Sequence, residues 1–563
     1  MAERIPPELI SLLLRELQAS PTDSLKEYAT VSRQWQYAAE QAAASFQTIT
    51  VRSDELEQFS AVFQVGHRRR FLRYLVYDIV LPTHKLSRCS LFETHKEQHK
   101  NNEAVTAAIE ALFGVLKSWE EADGELDNQA LLDLRLQAHS PMDQSRRSKE
   151  DQASMAKINA PFDLETTRWV HSYLKAPKES LAVLPVIKRV GTFVCQVRKS
   201  AIKGRCFEGA TLANIAMKFP NLKAIYWLAE DNDLLYPRAR KRRREDFALA
   251  LLNAHTAWNN LATFVLDTGL DIPEHDSAPA PVLSDANDNK GDPMTDALRR
   301  ILLLPRMEVF ILQDFVVVGA SLFELPLIAT GESTTLQSLS LQHLRVLEVR
   351  THITTPNGGY YFALDAPRQP QSPTELDVED DMPLFIEHIE EGIDMIIEAD
   401  SGTDMETVES TNSDDDTYPY PPKYGRRYLE ALNQAYGGLT TTKHRVRLNT
   451  PETRQMFEGY LKMLSTAPVV ERAQLRIGTG CHRASLSYSP VFGSSSEESE
   501  KQTVWDVYFG GNMQDSESFF RELKEWMVQV SGSNALIDAQ PDCLAALWKS
   551  GKQVYPDTGP QQC

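Results

Sequence analysis

The feature that most constrains this chain is a phrase it repeats: an amphipathic helical stretch runs into a short, apolar, alternating strand. Residues 102–119 read as a helix ahead of Leu131-Leu132-Asp133-Leu134-Arg135-Leu136. Residues 209–219 lead to a strand at 223–228, 246–255 to one at 261–266, 295–304 to one at 307–312, and 338–342 to one at 344–349. From Ile225 to Thr263, Val309 and Val346 the steps are 38, 46 and 37 residues. Neither the strand nor the helix stripe of one such unit can bury its apolar face alone, so stacking successive units is the economical solution. The expected fold is α/β: an irregular, open or curved helix–strand solenoid. A doubly wound sheet is the alternative, because it too alternates helix and strand.

The steps are longer and less even than the ~20–29 residues of a regular leucine-rich array, yet the local leucine spacing into each strand is leucine-rich-repeat-like. At ~150 residues per domain, 563 residues allow three or four domains or one long array. The expected division is a helical module at 1–48, an α/β repeat region at 49–364 with a disordered loop at 272–293, an acidic disordered insert at 365–422, and the end of the array at 423–563. Net charge is −19, from 59 basic and 78 acidic residues, which disfavours a general nucleic-acid binder. Between Glu375 and Asp416 stand 17 Asp or Glu and no Lys or Arg. Acidity therefore belongs to one segment, where apolar content is too low to offset ordering entropy. Within it, 382–397 keeps enough apolar residues for a transient helix. Helices are expected at 424–436, 450–464 and 516–530, and strands at 473–477, 484–489 and 504–509.

The chemistry-bearing motifs are sparse. Six cysteines, at 89, 195, 206, 481, 543 and 563, form no Cys-x-x-Cys pair, which points to a reducing, intracellular compartment, cytoplasmic or nuclear. No apolar run approaches the ~18 residues of a membrane span, and the N-terminus lacks a secretory pattern. Phosphate-cradling glycine motifs and a serine elbow are absent. His95 and His99 lie one helical turn apart without the glutamate a zinc protease places after its first histidine, so they read as a solvated face. Cys481-His482 has no identifiable partner for nucleophilic chemistry. No catalytic residue, metal or cofactor is expected. Arg238, Arg240, Lys241, Arg242, Arg243 and Arg244 put six positive charges into seven residues, just ahead of a helix expected from about Glu245. They read as a solvated rim loop, a nuclear-import patch, a phosphate-contacting patch or an internal partner for the acidic insert.

The first fifty residues carry more information. Pro6-Pro7-Glu8 is a helix start, since proline's missing N–H is an orphan in the first turn anyway. At 100° per residue, Leu9, Ile10, Leu12, Leu13, Leu14 and Leu17 cover about 200°, wider than the ~100° stripe a surface helix needs. A loop follows, then a second helix from about Leu25 ending near Trp35, an alanine-rich third helix to about Ala44, and a strand at 46–51. A three-helix unit of that size cannot bury such an arc by itself. The surplus faces either the next domain or another protein.

Ile5-Pro6-x-Glu8-Leu9, aliphatics at Leu13 and Leu17, Leu25 after the loop, and Val31-Ser32-Arg33-Gln34-Trp35 resemble the F-box motif. In that family a leucine-proline start and a valine-cysteine-x-x-tryptophan end bracket a three-helix module that docks onto the Skp1 adaptor. Here Ile5 replaces the leucine, Ser32 stands where cysteine is common, and the loop before Leu25 is longer. With its repeat-like remainder the chain is similar to the large F-box proteins of filamentous fungi. The resemblance covers about 40 residues. It implies that Ile5, Pro6, Leu9, Ile10, Leu13, Leu17, Leu25, Val31 and Trp35 meet a Skp1-type adaptor and, through it, a cullin ligase. The repeat region would then hold an unidentified protein substrate near the transferase, acting by proximity and doing no bond chemistry. The alternative is a non-catalytic interaction scaffold with a degenerate F-box, outside any ubiquitin ligase.

Overall fold

Two parallel strands cannot be joined by a hairpin; each pair needs a crossover of a dozen residues or more, and the helices supply it. The structure, a computed structural model, describes residues 5–18, 25–84, 93–124, 131–143, 172–195, 205–229, 231, 237–268, 282–284, 291–325, 341–364, 445–447, 450–478, 484–491 and 502–509, with 519, 521, 523 and 524. These fall into two compact units. The first takes the described residues within Met1–Gly269 together with Leu304–Met307, and the second takes those within Leu270–Leu303, Glu308–Val378 and Ala431–Cys563. The expected acidic insert and most of the loop at 272–293 lie outside the described residues, as do the helices expected at 382–397 and 424–436.

Among the described residues, the first unit holds six strands: β1 (Thr48–Arg52), β2 (Tyr74–Val80), β3 (Leu132–His139), β4 (Val190–Cys195), β5 (Ala224–Leu228) and β6 (Thr263–Asp267). Each pairs in parallel with the next in chain order. A doubly wound sheet needs a point where strand order reverses, and these six strands contain none. Between them run α3 (Leu56–Val62), α4 (Gly66–Phe71), α5 (His95–Asp123), α6 (Lys178–Ala182), α7 (Gly209–Ala216) and α8 (Pro237–Ala254). The chain enters through α1 (Pro7–Gln18), a 3-10 turn (Tyr28–Thr30) and α2 (Arg33–Ala42).

Side chains alternate across these strands, so register decides what each face carries. One row runs Ile49, Leu75, Leu134, Phe193, Ile225, Phe264 through all six strands, and its last five members are buried. Helices meet that face: the Tyr77 hydroxyl donates to the Ala108 carbonyl of α5 at 2.9 Å, and Trp227 lies 6.4 Å ring to ring from Phe247 of α8. The opposite row, Thr50, Val76, Arg135, Val194, Tyr226 and Val265, is exposed or half-buried except at Val265. In β3 the alternation is complete, with Leu132, Leu134, Leu136 and Ala138 buried and Asp133, Arg135, Gln137 and His139 half-exposed. Parallel sheets covered on both faces read as continuous apolar runs; among the described residues, β1 to β5 of this sheet bury one face more fully than the other.

Local chemistry sets the helix limits. Thr94 caps α5 through a reciprocal box with Glu97, which starts the helix earlier than the expected residue 102. Its Val105, Ile109, Leu112, Phe113, Leu116 and Trp119 are buried. Glycine opens α7 because a Cβ at Gly209 would sit 2.6 Å from the Phe247 ring.

In the second unit β7 (Val309–Val316) and β8 (Val346–Thr351) are parallel, and β8 is parallel to β11 (Arg472–Ile477). β12 (Ala484–Val491) and β13 (Gln502–Phe509) then turn back antiparallel. A separate pair joins β9 (Ala363–Leu364) to β10 (Arg445–Arg447). Two helices, α9 (Pro293–Leu302) and α10 (Pro451–Leu464), supply the buried Leu298, Ile301, Phe457, Tyr460 and Leu461. The fold is therefore α/β with mostly parallel strands. The helix expected at 338–342 is not seen where described: 341–345 is a turn.

Candidate partner-binding site

The candidate surface begins with α1. The Pro6 carbonyl accepts the first two helical bonds, from the Leu9 and Ile10 amides at 3.0 and 3.2 Å, and Pro7 opens the helix where its missing N–H costs nothing. The wide apolar arc then divides in two. Ile10 and Leu14 turn inward and form a small core with Leu25, Ala38 and Ala39, against which Leu17, Tyr28, Ala29, Trp35 and Ala42 pack. Leu9, Leu12 and Leu13 turn outward, 53%, 60% and 47% exposed. Ile5 and Val31, at 42% and 64%, are exposed too. Burying a leucine of this kind against a partner is worth roughly 1.5–3 kcal/mol.

Sequence reasoning placed nine residues at a partner surface, and the structure sorts them. Ile5, Pro6, Leu9, Leu13 and Val31 are exposed; Leu17 and Trp35 are half-buried. Ile10 and Leu25 are corrected: both are buried in the small core and are not free for a partner. Leu12, which was not among the nine, is exposed on the same side of α1 as Leu9 and Leu13. The second helix is also corrected. Residues 25–31 form turns around the 3-10 segment, and α2 begins only after Ser32, whose Oγ accepts from the Trp35 amide at 3.4 Å. Serine caps a helix as cysteine cannot, so Trp35 sits in the first turn of α2, not at the end of a helix. It lies 6.0 Å ring to ring from Tyr28.

On another side of α1 a groove of about 690 Å³ opens among Ser11, Arg33, Gln34, Tyr37, Val65 and His67. Beneath it Glu40 is a hub. It accepts from Gln36 Nε2 at 2.9 Å, meets His67 Nε2 at 2.7 Å, and takes Arg68 Nε and Nη2 at 3.1 and 2.6 Å. Burial raises the affinity of this carboxylate for a proton, but the bonds from Arg68, His67 and Gln36 outweigh it and hold Glu40 below the usual glutamate value.

The basic cluster is corrected as well. Residues 238–244 are helical, forming the first turns of α8, not a rim loop. Arg240 is buried and grips Asp231 with Nε at 2.8 Å and Nη2 at 3.0 Å, Arg244 is buried, and the Arg243 guanidinium lies 4.4 Å from the Tyr173 ring centroid. Lys241 is half-buried and Arg242 exposed. An import receptor needs an accessible run of cations, and here at least two are committed to the interior.

The remaining chemistry-bearing residues do not converge. Cys195 and Cys206 are buried and belong to no disulfide, with burial pushing the Cys195 thiol up to about 12. Cys89, Cys481, Cys543 and Cys563 lie outside the described residues, as does His482. His99 pairs with Glu103 at 3.3 Å on an exposed face of α5. Among the described residues no group of three metal-type ligands comes together, and no helix is long and apolar enough to cross a membrane. No protein-family model matches the chain, and no curated protein matches it in sequence.

Proposed function

We propose that the chain is a substrate-recruiting adaptor of an SCF-type ubiquitin ligase, docking a Skp1-type protein through its N-terminal helices and a target protein through its strand–helix repeats. The observation that carries this reading is the outward face of α1. Leu9, Leu12 and Leu13, with Ile5 and Val31 nearby, stay exposed although the small core behind them is already filled by Ile10, Leu14, Leu25, Ala38 and Ala39. This is the arrangement an F-box-like module requires: one side closes the module and the other is offered to a partner.

The rest of the chain supports the second half of the proposal. Parallel strands laid down in chain order, with helices on the buried face, are what an irregular leucine-rich-repeat-like solenoid produces. The less buried row from Thr50 to Tyr226 is then the surface on which a target rests. The reaction needs nothing of this chain but proximity, and no cofactor, metal or catalytic residue takes part. One observation favours the alternative, a scaffold with a degenerate F-box outside any ligase. Ser32 caps α2, and among its described residues the module shows two helices and a 3-10 turn where the family has three helices.

The test is co-purification of a Skp1-type adaptor with the full chain and with a Leu9→Glu, Leu13→Glu variant. The adaptor reading expects capture by the parent chain and its loss in the variant, with the same melting temperature. Capture of equal strength by both would remove α1 from the interface.

A further inference from the structure

The N-terminal helices have a core of their own, built from Ile10, Leu14, Leu25, Ala38 and Ala39, so contacts outside that core set their angle to the first strands. The described links gather in one place. Glu40, near the end of α2 and 8% exposed, is held by the guanidinium fork of Arg68 and by His67, both on α4. Arg68 also donates Nη1 to the Val62 carbonyl at 3.1 Å and lies 4.7 Å from the Phe46 ring centroid. Phe46 in turn meets Phe63 edge-on at 5.6 Å, and Phe63 stacks on Trp119 of α5 at 5.5 Å. Tyr37 of α2 packs its ring 5.3 Å from His67 and 5.2 Å from Phe71.

The backbone at the same place is strained. Ala44 has φ 51°, the one described non-glycine residue in the left-handed region. A side chain there persists only where its surroundings over-determine the conformation. Here the surroundings are the Gln47 amide, donating to the Ala44 carbonyl at 3.0 Å, and the Gln47 carbonyl, accepting from the Arg73 and Tyr74 amides at 2.9 Å each. The chain between α2 and β2 is thus pinned on both sides of a sharp reversal.

We infer that Glu40 and Arg68 form a rigid joint that holds the partner-facing helix α1, through α2, at one fixed angle to the parallel sheet of the first unit. Glu40 is a positioning residue: it acts by fixing where the exposed leucines point relative to the less buried strand face. The value of that rigidity rests on the adaptor reading, since a bridging protein must present its two partners at a constant separation and orientation. The joint itself does not rest on it, because it is a property of the chain alone.

The experiment is a distance measurement between spin labels carried by unnatural residues at Gln34 on α2 and Glu110 on α5, both exposed, in the full chain with its native cysteines. The parent should give one narrow distribution, and Glu40→Gln should broaden it at least twofold while helix content and the main unfolding transition stay in place. Arg68→Lys keeps the charge but loses the fork; it should give an intermediate width and serves if Glu40→Gln does not fold. A parent distribution that is already broad overturns the joint. An unchanged width in the folded variants does so as well. Affinity for a purified Skp1-type adaptor is measured on the same samples and should stay within twofold of the parent, because α1 is untouched. If the parent binds no adaptor while the width still responds to Glu40→Gln, the joint stands and the adaptor reading falls.

Discussion

Replacing Arg205 by methionine removes one cation from the most buried charge cluster among the described residues of the first unit. Arg205 is 2% exposed and pairs with Glu93 through Nη1 and with Asp143 through Nη2 at 3.2 Å. Burial favours the neutral guanidine, but the charges of Glu93 and Asp143 outweigh it, so its proton is held more tightly than usual. Asn101 and Ser172 donate to Glu93 at 3.2 and 2.5 Å, and the Ser140 amide donates to Asp143 at 2.8 Å. The cluster therefore ties together the segments after β2 and β3 and the one before α7. Methionine keeps the length and leaves two carboxylates buried without their cation, a loss of roughly 3–5 kcal/mol from a domain stability of ~5–15 kcal/mol. Urea unfolding at pH 7.5 and pH 5.5 reads the effect. An uncompensated buried carboxylate binds protons more readily folded than unfolded, so the variant's deficit should shrink as pH falls. A triple variant that adds Glu93→Gln and Asp143→Asn should recover much of it. A loss below about 1 kcal/mol, or one independent of pH, would refute the reasoning behind this magnitude.

On the inward side of α1, Ile10→Ala should cost roughly 2–5 kcal/mol, while Leu9→Ala on the outward side should change the melting temperature little; denaturant unfolding of each separates the two faces. Glu40, held below its usual value, contributes stability that is present above about pH 4.5 and lost as pH falls through its lower folded-state value. Label separation across the joint should therefore broaden on acidification in the parent and change less in Glu40→Gln. Arg240→Ala strands Asp231 and should destabilise the first unit by more than 1 kcal/mol, whereas Arg242→Ala, on the surface, should stay within about 0.5 kcal/mol. Moving a fluorescent fusion out of the nucleus by Lys241→Gln and Arg242→Gln alone, with stability intact, would restore the import reading.

Where pattern and packing agree, the sequence was readable. β3 shows Leu132, Leu134 and Leu136 alternating with polar residues because one sheet face is more buried than the other; β5, β6 and β8 emerge as short, nearly continuous apolar runs, and α10 as a stripe at helical period. β2 stayed hidden because Asp78 breaks its apolar pattern, and only the fold brings His139 to within 2.6 Å of it. β4 escaped because Gly191, whose Cβ would collide with Leu131 at 2.6 Å, interrupts a short run. The basic cluster looked like a loop because the partner that buries Arg240 is nine residues away on the far side of an unremarkable stretch. On α1 the 200° arc was legible, but the division between Ile10 inside and Leu9 outside depends on where Ala38 and Ala39 come to rest. No periodicity encodes that.

The most direct test of the adaptor account is calorimetric titration of the purified full chain with a purified Skp1-type adaptor. The account predicts a one-to-one complex at micromolar concentrations or tighter. Its heat-capacity change should be negative, because apolar surface at Leu9, Leu12, Leu13 and Val31 is buried on binding, and Leu9→Glu with Leu13→Glu should weaken it at least a hundredfold. The absence of binding by a folded parent chain at micromolar concentrations would contradict the account and leave the exposed face of α1 to a different partner.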